Sequence, residues 1–556
     1  MESVKILRAS AGSGKTYQLA YAYVREVVRV PECYRNILAV TFTNKATEEM
    51  KRRIVEEINR LASNQKSNYL NDLCSDLGLS DTDVRNRAAK AQTYILHDYS
   101  RFSVLTIDKF FQRIIRAFLR ELGIDINFNL ELETDTLLEE AADRLIDRIA
   151  TDETLRQRII PLVEEKMERD GKWDIRGELV ALGGELFQER YKMLQLQPSV
   201  SDFLDTVNDI KKQSACIKNE MRKIASEALK IIADAGFSSK DFSYGNQGCV
   251  GYFVKIAGGE ITSYGNRVTD ALVNNKWVSA NSPNKVALLA LVPQLRPRLK
   301  KLCDAYDFLT SADLVLSNYR GFVLLQDLAQ CVSELCKEQR IVPISETGSL
   351  IGKLIGGNDT PFIYEKVGNR FDHFMIDEFQ DTSVQQWNNF KPLLENAVAV
   401  QQNMPALLVG DIKQSIYRWR GGDWRILGHE VGKVFENVDI QSLDTNYRSA
   451  KRVVEFNNWM IECCVQEDNQ RLNNLLDEAE KKGFLSVNKH KNLKDMLKDA
   501  YEGHHQQAHA AADSGYVRVV AYDKEQHQQK SCVIEVVEEL QQRGYEPGDI
   551  AILVRR

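Results

Sequence analysis

Short apolar runs punctuate the first 120 or so residues and recur after residue 370, each closing on a small or polar turn. Val4, Ile6 and Leu7 suit a buried strand, and Leu19, Tyr23 and Val27 then recur at helical spacing. Ile37–Val40 form a second such run, followed by the turn Thr41–Ala46 and a helix carrying Met50, Ile54, Ile58 and Leu61 on one face. Val104–Ile107 make a third, ahead of Phe110, Ile114, Ile115, Phe118 and Leu122. Phe371–Ile376 and Ala406–Val409 add two more, each ending in an acidic turn. Repeated strand, turn and helix units predict an α/β fold: a parallel sheet covered by helices, with ligands at the carboxyl ends of its strands.

The pattern changes from about Leu130 to Lys300, where long charged helices such as Leu137–Ile149 replace the β-α units, as in a large helical insertion. Inside it, the glycine-rich stretch Ser243–Val268, with Tyr244, Tyr252, Phe253 and Tyr264 interleaved, predicts a mobile loop or a small surface hairpin. A new unit opens around Gln441. Its expected elements are a strand at Val517–Tyr522, a helix through Val533, Val537 and Leu540, and a strand at Ile550–Val554. The polar stretch Tyr501–Tyr516 contains His504, His505 and His509 without supporting cysteines or carboxylates, and reads as a solvated linker.

The loop after the first strand changes this from a fold to a chemistry. Ala9, Ser10, Ala11, Gly12, Ser13 and Gly14 can wrap backbone N–H groups around phosphate oxygens, since Gly12 and Gly14 tolerate turns that a side chain would forbid. Lys15 supplies positive charge to the terminal phosphates, and Thr16 a hydroxyl ligand for Mg²⁺. Ala9 stands where the strict phosphate-loop pattern has Gly. After the fourth run, Asp377 can hold Mg²⁺ and Glu378 can polarise the water that attacks the terminal phosphate. After the fifth, Gln414 is placed to sense that phosphate. There Tyr417 and Trp419 alternate with Arg418 and Arg420, as a groove for a single nucleic-acid strand combines stacking with charge. Arg448, at the edge of the unit opening near Gln441, can reach across a cleft as an arginine finger.

Composition narrows the surroundings. The 556 residues carry 73 Lys and Arg against 79 Asp and Glu, a net charge of -6, so any nucleic-acid site must be a local groove. Ten cysteines include no CxxC pair, which argues against a zinc framework and for a reducing compartment. The longest apolar run, Val286–Val292, stops at Pro293 and is too short to span a bilayer. A soluble, cytoplasmic protein is expected.

Taken in order, A-S-A-G-S-G-K-T, T-F-T-N-K-A, D-E-F-Q-D-T, G-D-I-K-Q-S-I-Y-R-W-R-G and D-T-N-Y-R-S resemble the superfamily 1 DNA helicases of the UvrD type. The alanine-bearing loop, the chain opening directly on it and the large helical insertion are most similar to the RecB and AddA branch. The resemblance implies a P-loop NTPase, RecA-like motor domain over 1–128 and 309–440, a helical insertion over 129–308, and the start of a second RecA-like domain over 441–556. It implies Mg-ATP surrounded by Lys15, Thr16, Asp377, Glu378, Gln414 and Arg448, with Tyr447 stacking on the adenine. It also implies single-stranded DNA along Phe42, Tyr417, Trp419 and Arg420, with Asn44 near it, and 3′ to 5′ movement toward duplex junctions.

Three departures from the family pattern stand out: no upstream Gln reads the adenine, Asp108 replaces the usual His, and the sequence stops at Arg556, ahead of the segments expected to bring a second arginine finger and the coupling helix. The expectation is an amino-terminal helicase fragment of weak activity in DNA repair or recombination. Two alternatives stay open: the motor module of a helicase-nuclease that has a second subunit, and an ATP switch gating a protein partner.

Overall fold

A computed structural model describes residues 4–124, 128–131, 134–157, 159–160, 174–193, 200–279, 282–357, 360–400, 404–482, 484–509, 513–521 and 528–554. The chain divides into two compact units, Met1–Ile114 with Ile355–Arg556, and Ile115–Leu354.

The first unit is built on a six-stranded parallel sheet. Its strands are β1 (Val4–Ala9), β2 (Ile37–Thr41), β3 (Val104–Thr106), β6 (His373–Ile376), β7 (Ala406–Gly410) and β8 (Val438–Leu443), ordered β3-β2-β6-β7-β1-β8. The five runs read from sequence are the first five of these in chain order. β2, β6 and β7 are buried along their whole length, which is why they read as continuous apolar runs without alternation. β8 is the addition: Gln441, where the sequence marked a new unit, pairs in register with Leu7 of β1. Its exposed outer positions are those of an edge strand and leave no apolar signature. Leu19, Tyr23, Val24 and Val27 of the helix Lys15–Arg29 and Met50, Ile54 and Ile58 of the helix Asn44–Ala62 share one core with Ala39, Met375, Leu407 and Val409 of the sheet.

Beyond β8, β9 (Thr445–Asn446) pairs in parallel with β10 (Gln507–Ala508), and the helix Lys451–Lys481 lies between them in sequence. The expected helix is present as Gln528–Gln542. The expected flanking strands are not: 517–521 and 550–554 pair with no strand among the described residues, and Tyr522 lies outside them. Val519 and Leu553 are 76% and 95% exposed, so these apolar runs have strand composition but, among the described residues, no neighbour to pair with.

The second unit is predominantly helical, with the helices Val200–Asp234 and Lys285–Gln339 as its longest pieces and a short parallel pair of β4 (Asn129–Glu131) with β5 (Ile341–Pro343). The glycine-rich stretch corrects the sequence reading. Most of Ser243–Val268 is neither a mobile loop nor a hairpin: it contains the helix Cys249–Ala257, which sends Val250, Tyr252, Phe253 and Ile256 into a core with Trp277 and Leu295. Two of its glycines serve close approach: a Cβ on Gly248 would lie 2.1 Å from the Ser243 carbonyl oxygen, and one on Gly251 would lie 1.9 Å from that of Asn246. No helix among the described residues is long and apolar enough to cross a membrane.

Candidate nucleotide and nucleic-acid site

All the site residues named from sequence lie in the first unit. β1 ends at Ala9, and the loop to the helix Lys15–Arg29 turns through left-handed backbone at Gly12 (φ 77°) and Gly14 (φ 84°). The Ser13 amide and hydroxyl both donate to the Ser10 carbonyl, at 3.2 and 2.7 Å, tightening the turn from within. Lys15 and Thr16 open the helix, where the unpaired N–H groups and the helix dipole favour an anion.

β6 and β7 bring their own ends to the same place. Lys15 Nζ lies 3.0 Å from Glu378 Oε2 and donates to Gln414 Oε1 at 3.2 Å, so residues some 400 positions apart meet on one ammonium. Asp377 is 7% exposed, with its amide donating to the Val40 carbonyl of β2 at 2.9 Å. Burial raises its pKa to about 6, the Glu378 charge adds to the rise, and Lys15 opposes it. Two carboxylates against one ammonium leave negative charge unrelieved in a half-dry cleft. That excess suits a divalent cation, and Asp377 and the Thr16 hydroxyl in the first turn of the helix are oxygen ligands of the kind one takes.

Sequence reasoning assigned no role to Gln380, yet it joins this cluster together. It is 1% exposed; its Nε2 donates to Glu378 Oε2 at 2.7 Å and to Asp381 Oδ2 at 3.2 Å, and its Oε1 accepts from the Asp411 amide at 2.9 Å. Asp411 in turn accepts from Gln414 Nε2 at 2.8 Å and pairs with Lys413 at 2.7 Å. Gly410 is required here, because a Cβ would sit 2.6 Å from Gln380 Oε1. Glu378 itself has φ 51°, an unusual backbone for a non-glycine residue, held by the β6 end behind it and this network ahead.

The same network leads to the aromatic residues. Ser415 Oγ donates to the Gln380 carbonyl at 3.3 Å, and the backbone amides of Ile416 and Tyr417 face the Asp381 carboxylate. Tyr417 stacks on Phe42 with centroids 5.2 Å apart, Trp419 follows at 6.2 Å, and the Arg420 guanidinium lies 4.7 Å from the Trp419 centroid. Trp419 is 67% exposed, a large aromatic face presented to solvent beside a cation. Asn44, at the exposed start of the helix Asn44–Ala62, belongs to the same turn as Phe42. Burial raises the pKa of Asp108, and the Arg420 charge opposes that rise.

On the other side of the phosphate loop, Tyr447 N–H donates to the Gly12 carbonyl at 2.8 Å, and Asn446 accepts the Arg448 and Ser449 amides, each at 2.9 Å. Arg448 is thereby placed at the loop, near enough that a Cβ on Gly12 would lie 3.0 Å from its own Cβ. The Tyr447 ring lies against His509, with centroids 4.6 Å apart. Among the described residues no group of His, Cys, Asp and Glu forms a metal-ligand cluster, and the three histidines at 504–509 are no exception.

Residues 1–434 match the model of the UvrD/REP helicase N-terminal domain. The chain belongs to the UvrD/REP helicase family. Its sheet is accordingly the RecA-like P-loop fold of that family. It is 24% identical over 511 residues to the RecBCD enzyme subunit RecB of Haemophilus influenzae, covering 82% of this chain and 39% of the relative. It is 23% identical to an ATP-dependent helicase/nuclease subunit of Natranaerobius thermophilus, over 82% of the chain and 36% of the relative. The exonuclease/helicase subunit RexA of Lactococcus lactis is 23% identical over 99% of the chain and 46% of the relative. This UvrD/REP family chain therefore spans less than half the length of each of these relatives.

Proposed function

We propose that this chain is the ATP-driven part of a DNA helicase that moves 3′ to 5′ along single-stranded DNA in repair or recombination, with the residues beyond β8 beginning a second motor domain. The observation that carries the reading is the convergence of Lys15, Glu378 and Gln414, connected through Gln380 to the backbone of Tyr417. In this mechanism the loop amides and Lys15 bind the phosphates of ATP, and Thr16 and Asp377 hold Mg²⁺, which supplies charge neutralisation when bound. Glu378 orients the attacking water and takes its proton. Gln414 senses the terminal phosphate, and Arg448 adds positive charge from the other side. Tyr447 stacks on the adenine. Phe42, Tyr417, Trp419 and Arg420 hold successive bases and phosphates, with Asn44 beside them.

The names of the relatives favour a second reading, in which this motor is one module of a helicase-nuclease that works with a partner protein. One experiment separates both readings from an ATP switch acting on a protein. Titrating a labelled single-stranded oligonucleotide should give an affinity that falls steadily as salt rises. Trp419→Ala should weaken it roughly 5- to 150-fold, in line with about 1–3 kcal/mol per stacked base, and leave Mg-ATP binding unchanged. An affinity indifferent to both salt and Trp419, with ATP turnover unresponsive to DNA, would sink the motor reading.

A further inference from the structure

The segment 504–509, polar enough to read as a linker, touches the phosphate loop. Gln506 Nε2 donates to the Ala11 carbonyl at 3.1 Å, and Asn446 Nδ2 donates to the same oxygen at 3.1 Å. The two amides also bond each other, Asn446 Nδ2 to Gln506 Oε1 at 2.9 Å. Their orientation is not arbitrary. Asn446 Oδ1 is committed to the amides of Arg448 and Ser449, so its nitrogen must face Ala11 and Gln506, which leaves the Gln506 nitrogen for Ala11.

Gln506 is itself fixed from behind. Asn458, 9% exposed on the helix Lys451–Lys481, donates to the Gln506 carbonyl at 2.8 Å and accepts from its amide at 3.0 Å. On the following residues, the β9–β10 bridge aligns Gln507 with Thr445 and Ala508 with Asn446, and the amides of Gln507 and His509 donate to the carbonyls of Asp444 and Asn446 at 2.8 and 2.9 Å.

We infer that Gln506 is a positioning residue for phosphate binding, acting through the Ala11–Gly12 peptide. In a trans peptide the carbonyl and the following N–H point in opposite directions. Tying the Ala11 carbonyl outward, to two amides, therefore turns the Gly12 N–H toward the concave side of the loop. The Gly12 carbonyl is likewise tied outward, to the Tyr447 amide, while the Ser13 N–H that follows is spent inside the loop on the Ser10 carbonyl. The loop then meets phosphate with the Gly12 donor already aimed, and less ordering has to accompany binding. The residue that completes this arrangement lies 495 positions along the chain from Ala11 and beyond the matched helicase domain, which ends at 434.

The inference rests on the reading that residues 10–14 hold phosphates, and the test keeps the two apart. Mg-ATP affinity of this chain is measured with a fluorescent ATP analogue for wild type, Gln506→Glu, Gln506→Ala and Gln507→Ala. Gln506→Glu is the sharper variant. It keeps size and packing but replaces the donor with an acceptor facing the Ala11 carbonyl. Loss of one hydrogen bond predicts affinity about 3- to 10-fold weaker for Gln506→Ala, and weaker still for Gln506→Glu. In steady-state turnover KM should rise by the same factor while kcat holds, a split that a general loss of folding would not produce. Gln507→Ala, an exposed side chain on the same strand, should match wild type. Wild-type protein that binds no Mg-ATP would overturn the nucleotide reading and this inference with it. Wild type that binds, with Gln506→Glu equal to it or with kcat falling at constant KM, would overturn the inference alone.

Discussion

The two sides of the phosphate loop are held by different kinds of contact. On the Lys15 side the contacts are ionic: one ammonium against Glu378, near the buried Asp377, with Asp411 and Lys413 paired behind Gln414. On the Ala11 side they are neutral: Asn446, Gln506 and the Tyr447 amide, with the donors and acceptors named above matched to one another. The neutral side is complete as it stands. The ionic side carries more negative charge than Lys15 can balance, and in the proposed mechanism a cation and phosphates finish it. One wall is built to stay and the other to respond, and this division can be broken by substitution.

The largest effect is expected at Glu378. Glu378→Gln keeps the side-chain shape but removes the group proposed to take the proton from water, so ATP hydrolysis should fall about 10²- to 10⁴-fold. Mg-ATP binding should survive, because Lys15 loses a competing partner rather than a ligand. Turnover near the wild-type rate, measured beside the binding constant, would mean that the responsive wall has been assigned to the wrong carboxylate.

A smaller loss is expected from Gly12→Ala, and comparison with Gly14→Ala sharpens it. Both glycines have positive φ, and any L side chain there costs roughly 1–2 kcal/mol. At Gly12 the added Cβ would also fall 2.6 Å from Asn446 Oδ1, whereas at Gly14 the nearest neighbour is Tyr17 Cβ at 3.9 Å. Gly12→Ala should therefore destabilise the protein by about 1–3 kcal/mol more than Gly14→Ala, the usual range for a disturbed buried polar group. Equal losses in urea melts of the two variants would show that the neutral wall does not press on the loop.

How far the two walls could be read from sequence differs for a physical reason. β1, β2, β6 and β7 are strands buried on both faces, so their composition alone marks them, and the chemistry follows directly at their ends. Lys15, Asp377, Glu378 and Gln414 were therefore legible as one group. Gln380 stood in the same motif, but its task appears only when Asp411 arrives from another strand. Gln506 was hidden altogether, since a short polar segment rich in His and Gln has no periodicity and its partner is remote. The glycine-rich stretch misled in the opposite direction: Gly248 and Gly251 look like breakers, yet they allow backbone to approach a buried helix. Val517–Val520 and Ile550–Val554 show that strand composition cannot supply a neighbouring strand.

The last expected effect concerns the stored charge of the ionic wall. Asp377 titrates near 6 in the folded protein rather than at its ordinary 3.8, chiefly through burial and then through Glu378. Between those values the folded, metal-free protein holds a proton that the unfolded chain has released. Its stability should therefore fall as pH rises from about 4 to 6 and remain lowered above that, the reverse of the usual behaviour of a paired carboxylate. Asp377→Asn removes the charge but keeps an oxygen to accept the Glu378 amide, which donates to Oδ1 at 3.0 Å. The variant should be more stable than wild type at pH 8 in the absence of Mg²⁺ and should lose this component of the pH dependence. Its ATP binding should no longer respond to Mg²⁺. Urea midpoints at pH 5 and pH 8 decide the matter: an unchanged difference between them in Asp377→Asn would place the unrelieved charge elsewhere in the wall.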